Sequence, residues 1–305
     1  MKRVVSLLPS TTEIVYALGC GDQLVGRSHE CDHPAGVEAL PVVTEPRVPV
    51  EGDSLQIDRQ LRSILEQALS VYRVHTDVLA ELAPDVVLTQ SLCEVCAVSL
   101  ADVQAAVDEH LDAATDVVAL EPQQLADVVE DIRRVARALE VPERGDRLAE
   151  EVTARIDDVR RRTRDLPRRT VVSIEWIEPL MAAGNWMPEL IEAAGGRELF
   201  GTVGAHSPWT TWEQMRAADP ETIVILPCGF DLARTRDEAA SLRELPGWAD
   251  LRAVREGRVA ITDGHQYFNR PGPRLAESTE ILAEILHPET FAPTHAGRGW
   301  EAFEG

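Results

Sequence analysis

The chain has 305 residues and 33.6 kDa, enough for one large core or two ordinary ones, which excludes a peptide or a lone motif. Its 30 Lys and Arg against 52 Asp and Glu leave a net charge of −22 and a pI near 4.7, which excludes a general affinity for nucleic-acid phosphates or anionic membranes. Lys2 is the one lysine, and with 44% hydrophobic residues the acidic surplus reads as a solvated surface on a folded protein, not as a disordered tail.

No run of about 18 apolar residues occurs, so no transmembrane segment is expected. The amino terminus imitates a signal peptide: Met1-Lys2-Arg3, then Val4-Val5-Ser6-Leu7-Leu8, then Ala17-Leu18-Gly19-Cys20 with a lipoprotein-type cysteine. Pro9-Ser10-Thr11-Thr12-Glu13 interrupts it, however, and a glutamate fits an apolar signal region badly. The competing reading is a first strand over residues 3–8 and a helix capped by Ser10 or Thr11 that ends at Gly19. As written, the chain is expected to be cytoplasmic; processing of this terminus would make it extracytoplasmic and membrane-associated.

Strands are predicted over residues 3–8, 24–26, 42–43, 85–89 and 117–120, with helices over 58–69 and 76–82 between them. Residues 123–165 lack a strand pattern and read as one long helical region nicked at Val141-Pro142. Its second part, residues 143–165, spans about 33 Å as a helix, and Pro167 ends it. An α/β pattern then restarts, with strands at 170–174, 222–226 and 259–262 and helices at 188–194 and 212–218. The tail after Pro288 is small and polar and is expected to fray. The pattern therefore predicts an α/β protein: an amino-terminal lobe over 1–122, a connecting helical region over 123–167, a second lobe over 168–290 and a tail over 291–305.

Phosphate-loop, nucleophile-elbow and H-E-x-x-H motifs are absent, which removes the simplest nucleotide and hydrolase readings. What stands out is a set of unusual loops at predicted strand ends, where ligands of open α/β sheets bind. They include Arg27-Ser28-His29-Glu30-Cys31-Asp32-His33-Pro34, Gly184-Asn185-Trp186, His206-Ser207-Pro208-Trp209 and Gly264-His265-Gln266-Tyr267-Phe268-Asn269-Arg270-Pro271. Facing lobes would line a cleft with Trp186, Trp209, Tyr267 and Phe268.

Several segments in order carry a family resemblance: Leu8-Pro9-Ser10-Thr11-Thr12-Glu13-Ile14, Val25-Gly26-Arg27-Ser28 with Asp32-His33-Pro34, Leu82-Ala83-Pro84-Asp85-Val86-Val87, Glu189-Leu190-Ile191-Glu192-Ala193-Ala194-Gly195-Gly196, and Pro273-Arg274-Leu275. Over nearly the whole chain it resembles the substrate-binding proteins of cobalamin and iron-siderophore ABC importers. The resemblance implies two Rossmann-like α/β lobes joined by a single long α-helix, the class III periplasmic-binding-protein-like architecture of helical-backbone metal receptors. It implies a binding protein for a corrinoid or another small-molecule metal chelate, not an enzyme, with an ABC permease as partner. Pro9, Trp209 and Arg270 fall at the family's pocket positions, and Gln266 falls where an acid is frequent. Glu30 and Met181 stand where the best-known pocket has aromatic rings. Asp77 and Glu213 match the two acids that dock on permease arginines; their local reading is helix capping, with Thr210-x-x-Glu213 as a capping box. His265, at a strand end, is a further pocket candidate.

Five cysteines suit a disulfide framework badly. Cys31, Cys93, Cys96 and Cys228 lie in three strand-end loops, so four thiols would be able to close a zinc site or hold an iron–sulfur cluster. Packing and a redox pair are the alternatives for them, while Cys20 reads as packing. The competing function is therefore a cytosolic metalloprotein or redox enzyme built on the cysteine cluster. Glu175 and Glu178 are possible paired carboxylates, though a strand-end Glu more often orients loops, and His75, His110 and His295 read as surface residues.

Overall fold

A computed structural model describes residues 1–47, 52–66, 71–91, 99–111 and 115–304. The chain forms two compact units, one of Met1–Gly52, Gln56–Pro122 and Ala126–Glu151, the other of Asp53–Leu55, Gln123–Leu125 and Val152–Gly305. The first part of the chain runs β1 (Val4–Ser6), α1 (Pro9–Ala17), β2 (Leu24–Arg27), β3 (Thr44–Pro46), α2 (Ser54–Glu66), β4 (Tyr72–Val74), α3 (Thr76–Leu82), β5 (Val86–Gln90), α4 (Leu100–His110), β6 (Asp116–Leu120) and α5 (Leu125–Ala138).

The sheet of this unit is parallel, in the order β2-β1-β5-β6. Strands covered on both faces read as continuous apolar runs, and β1 and β5 are buried throughout. Val5, Leu7 and Val87 pack there with Leu79, Val103 and Val107 from helices. Ala83 closes α3 in the left-handed region, with φ 42°, and Pro84 prevents the helix from continuing into β5.

Several expectations change in this unit. Leu8, in extended conformation, is the cap of α1 and makes no side-chain cap bond; Pro9 takes the first helical position, so neither Ser10 nor Thr11 caps. The strand expected at 42–43 is only a bridge from Val42 to Arg27, and the strand proper is β3. Helix α2 starts earlier than expected, at Ser54, and residues 67–69 lie outside the described residues. Cys20 is wholly buried, as its packing reading requires.

The helical region is two helices: Glu140 breaks it with φ 61°, and α6 (Pro142–Thr163) follows α5. Ala149, Val152, Ile156 and Val159 make the buried stripe of α6 at helical spacing. This helix belongs to the first unit through Glu151 and to the second from Val152, so one helix of about 33 Å carries the chain from one into the other.

The second unit contains β7 (Arg169–Trp176), β8 (Met181–Ala182), α7 (Met187–Ala193), β9 (Gly196–Glu198), α8 (Trp212–Ala218), β10 (Thr222–Ile225), α9 (Leu232–Ala239), α10 (Arg252–Arg255), β11 (Val259–Thr262), α11 (Leu275–Leu286) and β12 (Trp300–Ala302). Its sheet has the order β12-β11-β10-β7-β8, with β9 also beside β7. Strands β7, β9, β10 and β11 are mutually parallel, while β8 and β12 run antiparallel. Val172, Ile174, Ile223, Ile225 and Ile261 meet Met215, Trp248 and Phe303 in the core.

The tail does not fray as expected. It adds β12 to the sheet edge, and Phe291, His295 and Phe303 are buried. Glu284, 3% exposed, holds it: one carboxylate oxygen accepts from Thr294 N and Oγ1, and the other from Trp300 Nε1 at 2.8 Å. His295 is therefore an interior residue and not a surface one; its Nε2 stands 3.2 Å from Glu280 Oε2.

Candidate functional site

In the first unit the loop after β2 is built around Arg27, 9% exposed at the end of that strand. Its Nη1 donates to the carbonyls of Ser28 at 3.0 Å and Cys31 at 3.2 Å, and its Nη2 donates to Glu38 O at 3.1 Å. A planar guanidinium spreads five N–H donors over a fixed fork and so reaches carbonyls on separate parts of the loop, where a lysine has three donors on one nitrogen. The loop so held presents His29 and Glu30. His29 Nδ1 lies 2.8 Å from Thr44 Oγ1, and its ring packs on Tyr72 with centroids 5.2 Å apart. Burial, helped by the Arg27 charge, lowers the His29 pKa to about 4, so the ring is neutral at pH 7. Tyr72 Oη donates to Glu30 Oε1 at 3.3 Å, so Glu30 is half-buried and partly occupied by its own unit. Pro9 stands half-buried at the start of α1, on the neighbouring strand end.

In the second unit, the loops after β8, β10 and β11 are sewn together. Trp186 Nε1 donates to Phe268 O at 2.8 Å; Asn269 Nδ2 donates to Leu226 O and Gly264 O at 3.0 Å each; His265 N donates to Phe230 O at 3.0 Å. Arg270, 7% exposed, directs Nη2 to His265 Nε2 at 3.1 Å. Arg274 Nη1 donates to Gln266 Oε1 at 2.9 Å, and its guanidinium lies over the Tyr267 ring, 5.3 Å from the centroid. Asp263 Oδ1 accepts from Gln266 N at 2.7 Å, and burial raises its pKa despite that bond. Burial also raises the Tyr267 pKa, keeping the phenol protonated.

The structure thus brings His265, Gln266, Tyr267, Arg270 and Trp186 into one array. Trp186 is 6% exposed with its indole N–H engaged, so it braces the loop. Met181 and Trp209 form a bridge at the strand edge, where Trp209 is 55% exposed. Glu175 orients a loop, accepting from Ser207 Oγ at 2.9 Å, while Trp176 Nε1 bonds the backbone carbonyl of Glu178. Arg27 and Asn269 stand in the loop segments quoted from the sequence but carry no assigned role there, because their carbonyl partners lie elsewhere in the loops or on other strand ends.

The cysteines do not form the expected cluster among the described residues. Cys31 is buried in the first unit, where Thr12 Oγ1 donates to its Sγ at 3.1 Å, and Cys228 is half-buried in the second. Cys93 and Cys96 lie outside the described residues. Among the described residues no group of three or more His, Cys, Asp or Glu is arranged to hold a metal ion, so neither a zinc nor an iron–sulfur site is supported.

Asp77 and Glu213 are both exposed in the first turns of α3 and α8. The capping box of α8 is one residue later than expected: Thr211 Oγ1 accepts from Gln214 N, and Gln214 Oε1 accepts from Thr211 N. Glu213 is thereby relieved of the capping role.

A model of the family described as periplasmic binding protein matches residues 4–265. The chain belongs to this family. It is accordingly a binding protein and not an enzyme, and membership gives no support to the cytoplasmic placement expected above. An ABC transporter substrate-binding lipoprotein of Bacillus subtilis is 25% identical over 297 residues, covering 95% of this chain and 81% of that one. A vitamin B12-binding protein of Yersinia pestis is 24% identical over 298 residues, covering 96% and 90%. A periplasmic heme-binding protein from Pseudomonas aeruginosa has the same fold, with a TM-score of 0.71 at 22% identity, covering 95% of this chain and 94% of that one.

Among the described residues no helix is long and apolar enough to cross a membrane.

Proposed function

We propose that this periplasmic binding protein family member is the substrate-binding component of an ABC importer, and that its cargo is a metal chelate of the corrinoid class. Its relatives named above support both parts, as an ABC transporter substrate-binding lipoprotein and as a vitamin B12-binding protein. The observation that carries the reading is the loop after β11, where a nearly buried Arg270 stands beside His265 and an Arg274–Gln266 pair covers Tyr267. Fixed guanidinium and amide donors next to an aromatic ring suit a broad apolar ligand edged with amide and carboxylate arms. Burial of the macrocycle supplies affinity and the donors fix its orientation. Pro9, Glu30, Met181, Trp209 and Gln266 complete the ligand set.

Asp77 and Glu213 are the docking acids for the permease in this reading, and the protein works outside the cytoplasmic membrane. Titration with cyanocobalamin, cobinamide, haemin and a ferric siderophore tests the cargo: tight binding of the corrinoids is expected. Heat or spectral change with none of the four abandons the reading, and haemin or siderophore binding alone replaces the corrinoid with that chelate. Recovery of the native protein from the cytosol contradicts the placement.

A further inference from the structure

The end of α6 and the turn into β7 concentrate positive charge in a chain whose net charge is −22: residues 160–169 hold six arginines and one acid, Asp165. Arg160, Arg161, Arg164 and Arg168, with Thr163, Gly195 and a single acid, Glu192, line an open cavity of about 330 Å³. Strands β7 and β9 begin here, at Arg169 and Gly196, so the cavity lies at the amino-terminal edge of the second unit's sheet. The ligand loops described above leave the opposite edge.

Cations in the last turn of a helix ordinarily answer its dipole and the acids one turn back. That explains Arg160, paired with Asp157, and Arg161, which meets Asp158 at 2.7 Å. It does not explain Arg164, which lies past the last residue of α6, is exposed, and makes no side-chain hydrogen bond or ion pair among the described residues. Among the described residues Arg168 meets Glu192 alone, at 3.2 Å, in an exposed pair of the kind readily exchanged for another anion.

The wall behind these arginines is closely packed. His287 lies directly behind Gly195 and is 1% exposed, with the Gly195 backbone as its hydrogen-bonding neighbour and its Nδ1 3.9 Å from Glu289 Oε1. Gly195 adopts φ 82°, and a Cβ there would stand 2.5 Å from His287 Nε2, so only glycine fits between the cavity and the imidazole. Burial lowers the His287 pKa, so the neutral ring adds no charge and the arginines carry the positive charge of the cavity.

We infer that this cavity is a binding site for a phosphate-class oxyanion, with Arg164 and Arg168 as its charged contacts. Guanidinium forks match the paired oxygens of such an anion, and screening within about 8 Å lets this local charge act despite the acidic surface elsewhere. The site is independent of the chelate reading, since none of its residues lies in the ligand loops.

The test is calorimetric titration of the full chain with inorganic phosphate and with pyrophosphate at low salt, alongside sedimentation with phosphatidylglycerol and phosphatidylcholine vesicles. Saturable binding is expected, weakened roughly tenfold or more by Arg164→Gln/Arg168→Gln and also reduced by Arg164→Gln alone. The single variant removes a side chain that no internal contact uses, so its thermal midpoint stays at the wild-type value. Binding only to phosphatidylglycerol vesicles, lost in the same variants, assigns the phosphate to a lipid headgroup, whereas binding of the free anions assigns it to a soluble ligand. Binding of neither, or binding that the double variant leaves undiminished, overturns the inference.

Discussion

Arg270 Nη2 stands 3.1 Å from His265 Nε2, and because a guanidinium only donates, Nε2 is the acceptor and the imidazole proton sits on Nδ1. The pair fixes both side chains on the loop after β11. Arg270→Ala is expected to weaken corrinoid binding about tenfold or more, and Arg270→Lys to recover only part of it, since an ammonium lacks the planar fork. Isothermal titration of the three proteins checks this. Equal affinities remove Arg270 from the ligand contacts.

Arg27 acts at longer range from any ligand. Its buried guanidinium serves the carbonyls of Ser28, Cys31 and Glu38, so Arg27→Met leaves interior acceptors unmet and is expected to cost about 3 kcal/mol of stability. Urea denaturation reads the loss. A variant as stable as the wild type shows that the loop finds other donors.

His29 sets a pH dependence. Its pKa in the fold, about 4, lies below the ordinary histidine value near 6.5, so the unfolded chain takes up a proton first as the pH falls. The stability of the first unit is therefore complete above pH 6.5 and declines between there and pH 4. His29→Gln is expected to flatten that part of the melting profile, and thermal midpoints at half-unit pH steps measure it.

Glu284 anchors the tail by accepting from Thr294 and Trp300. Glu284→Gln turns an amide donor toward these donors, and about 2–4 kcal/mol of tail stability should be lost. Limited proteolysis is the direct readout, with new cleavage expected between Pro288 and Gly299. Resistance equal to the wild type would show that β12 holds the tail unaided.

Asp77 and Glu213 are exposed in the first turns of two helices, and the Thr211–Gln214 box leaves Glu213 without a capping role. Asp77→Arg and Glu213→Arg should lower chelate uptake by intact cells at least severalfold while leaving ligand affinity in solution unchanged. Uptake at the wild-type level by the double variant removes both from permease docking.

Much of the fold was legible because its signals are local. The β-branched runs of β1, β5, β10 and β11, the stop at Ala83-Pro84 and the amphipathic stripe of α6 each report on their own neighbours in the chain. The ordered motifs pointed to the right family, and the loop holding His265, Gln266, Tyr267 and Arg270 was found from its place at a strand end. Caps were missed by one or a few residues, as with Thr211 for Thr210 and Leu8 for Ser10, because several neighbouring hydroxyls fit the same pattern.

By itself, then, the sequence determined the strand and helix periodicities, the acidic surface and the membership of a binding-protein family. Only the tertiary structure decided the partners of polar groups far apart in the chain: Asn269 on Leu226, Glu284 on Trp300, Thr12 on Cys31, and His287 behind Gly195. The reason is physical. An apolar residue declares its burial through spacing alone, whereas a polar side chain takes whichever donor or acceptor the packed chain brings within about 3 Å, and composition carries no record of that choice.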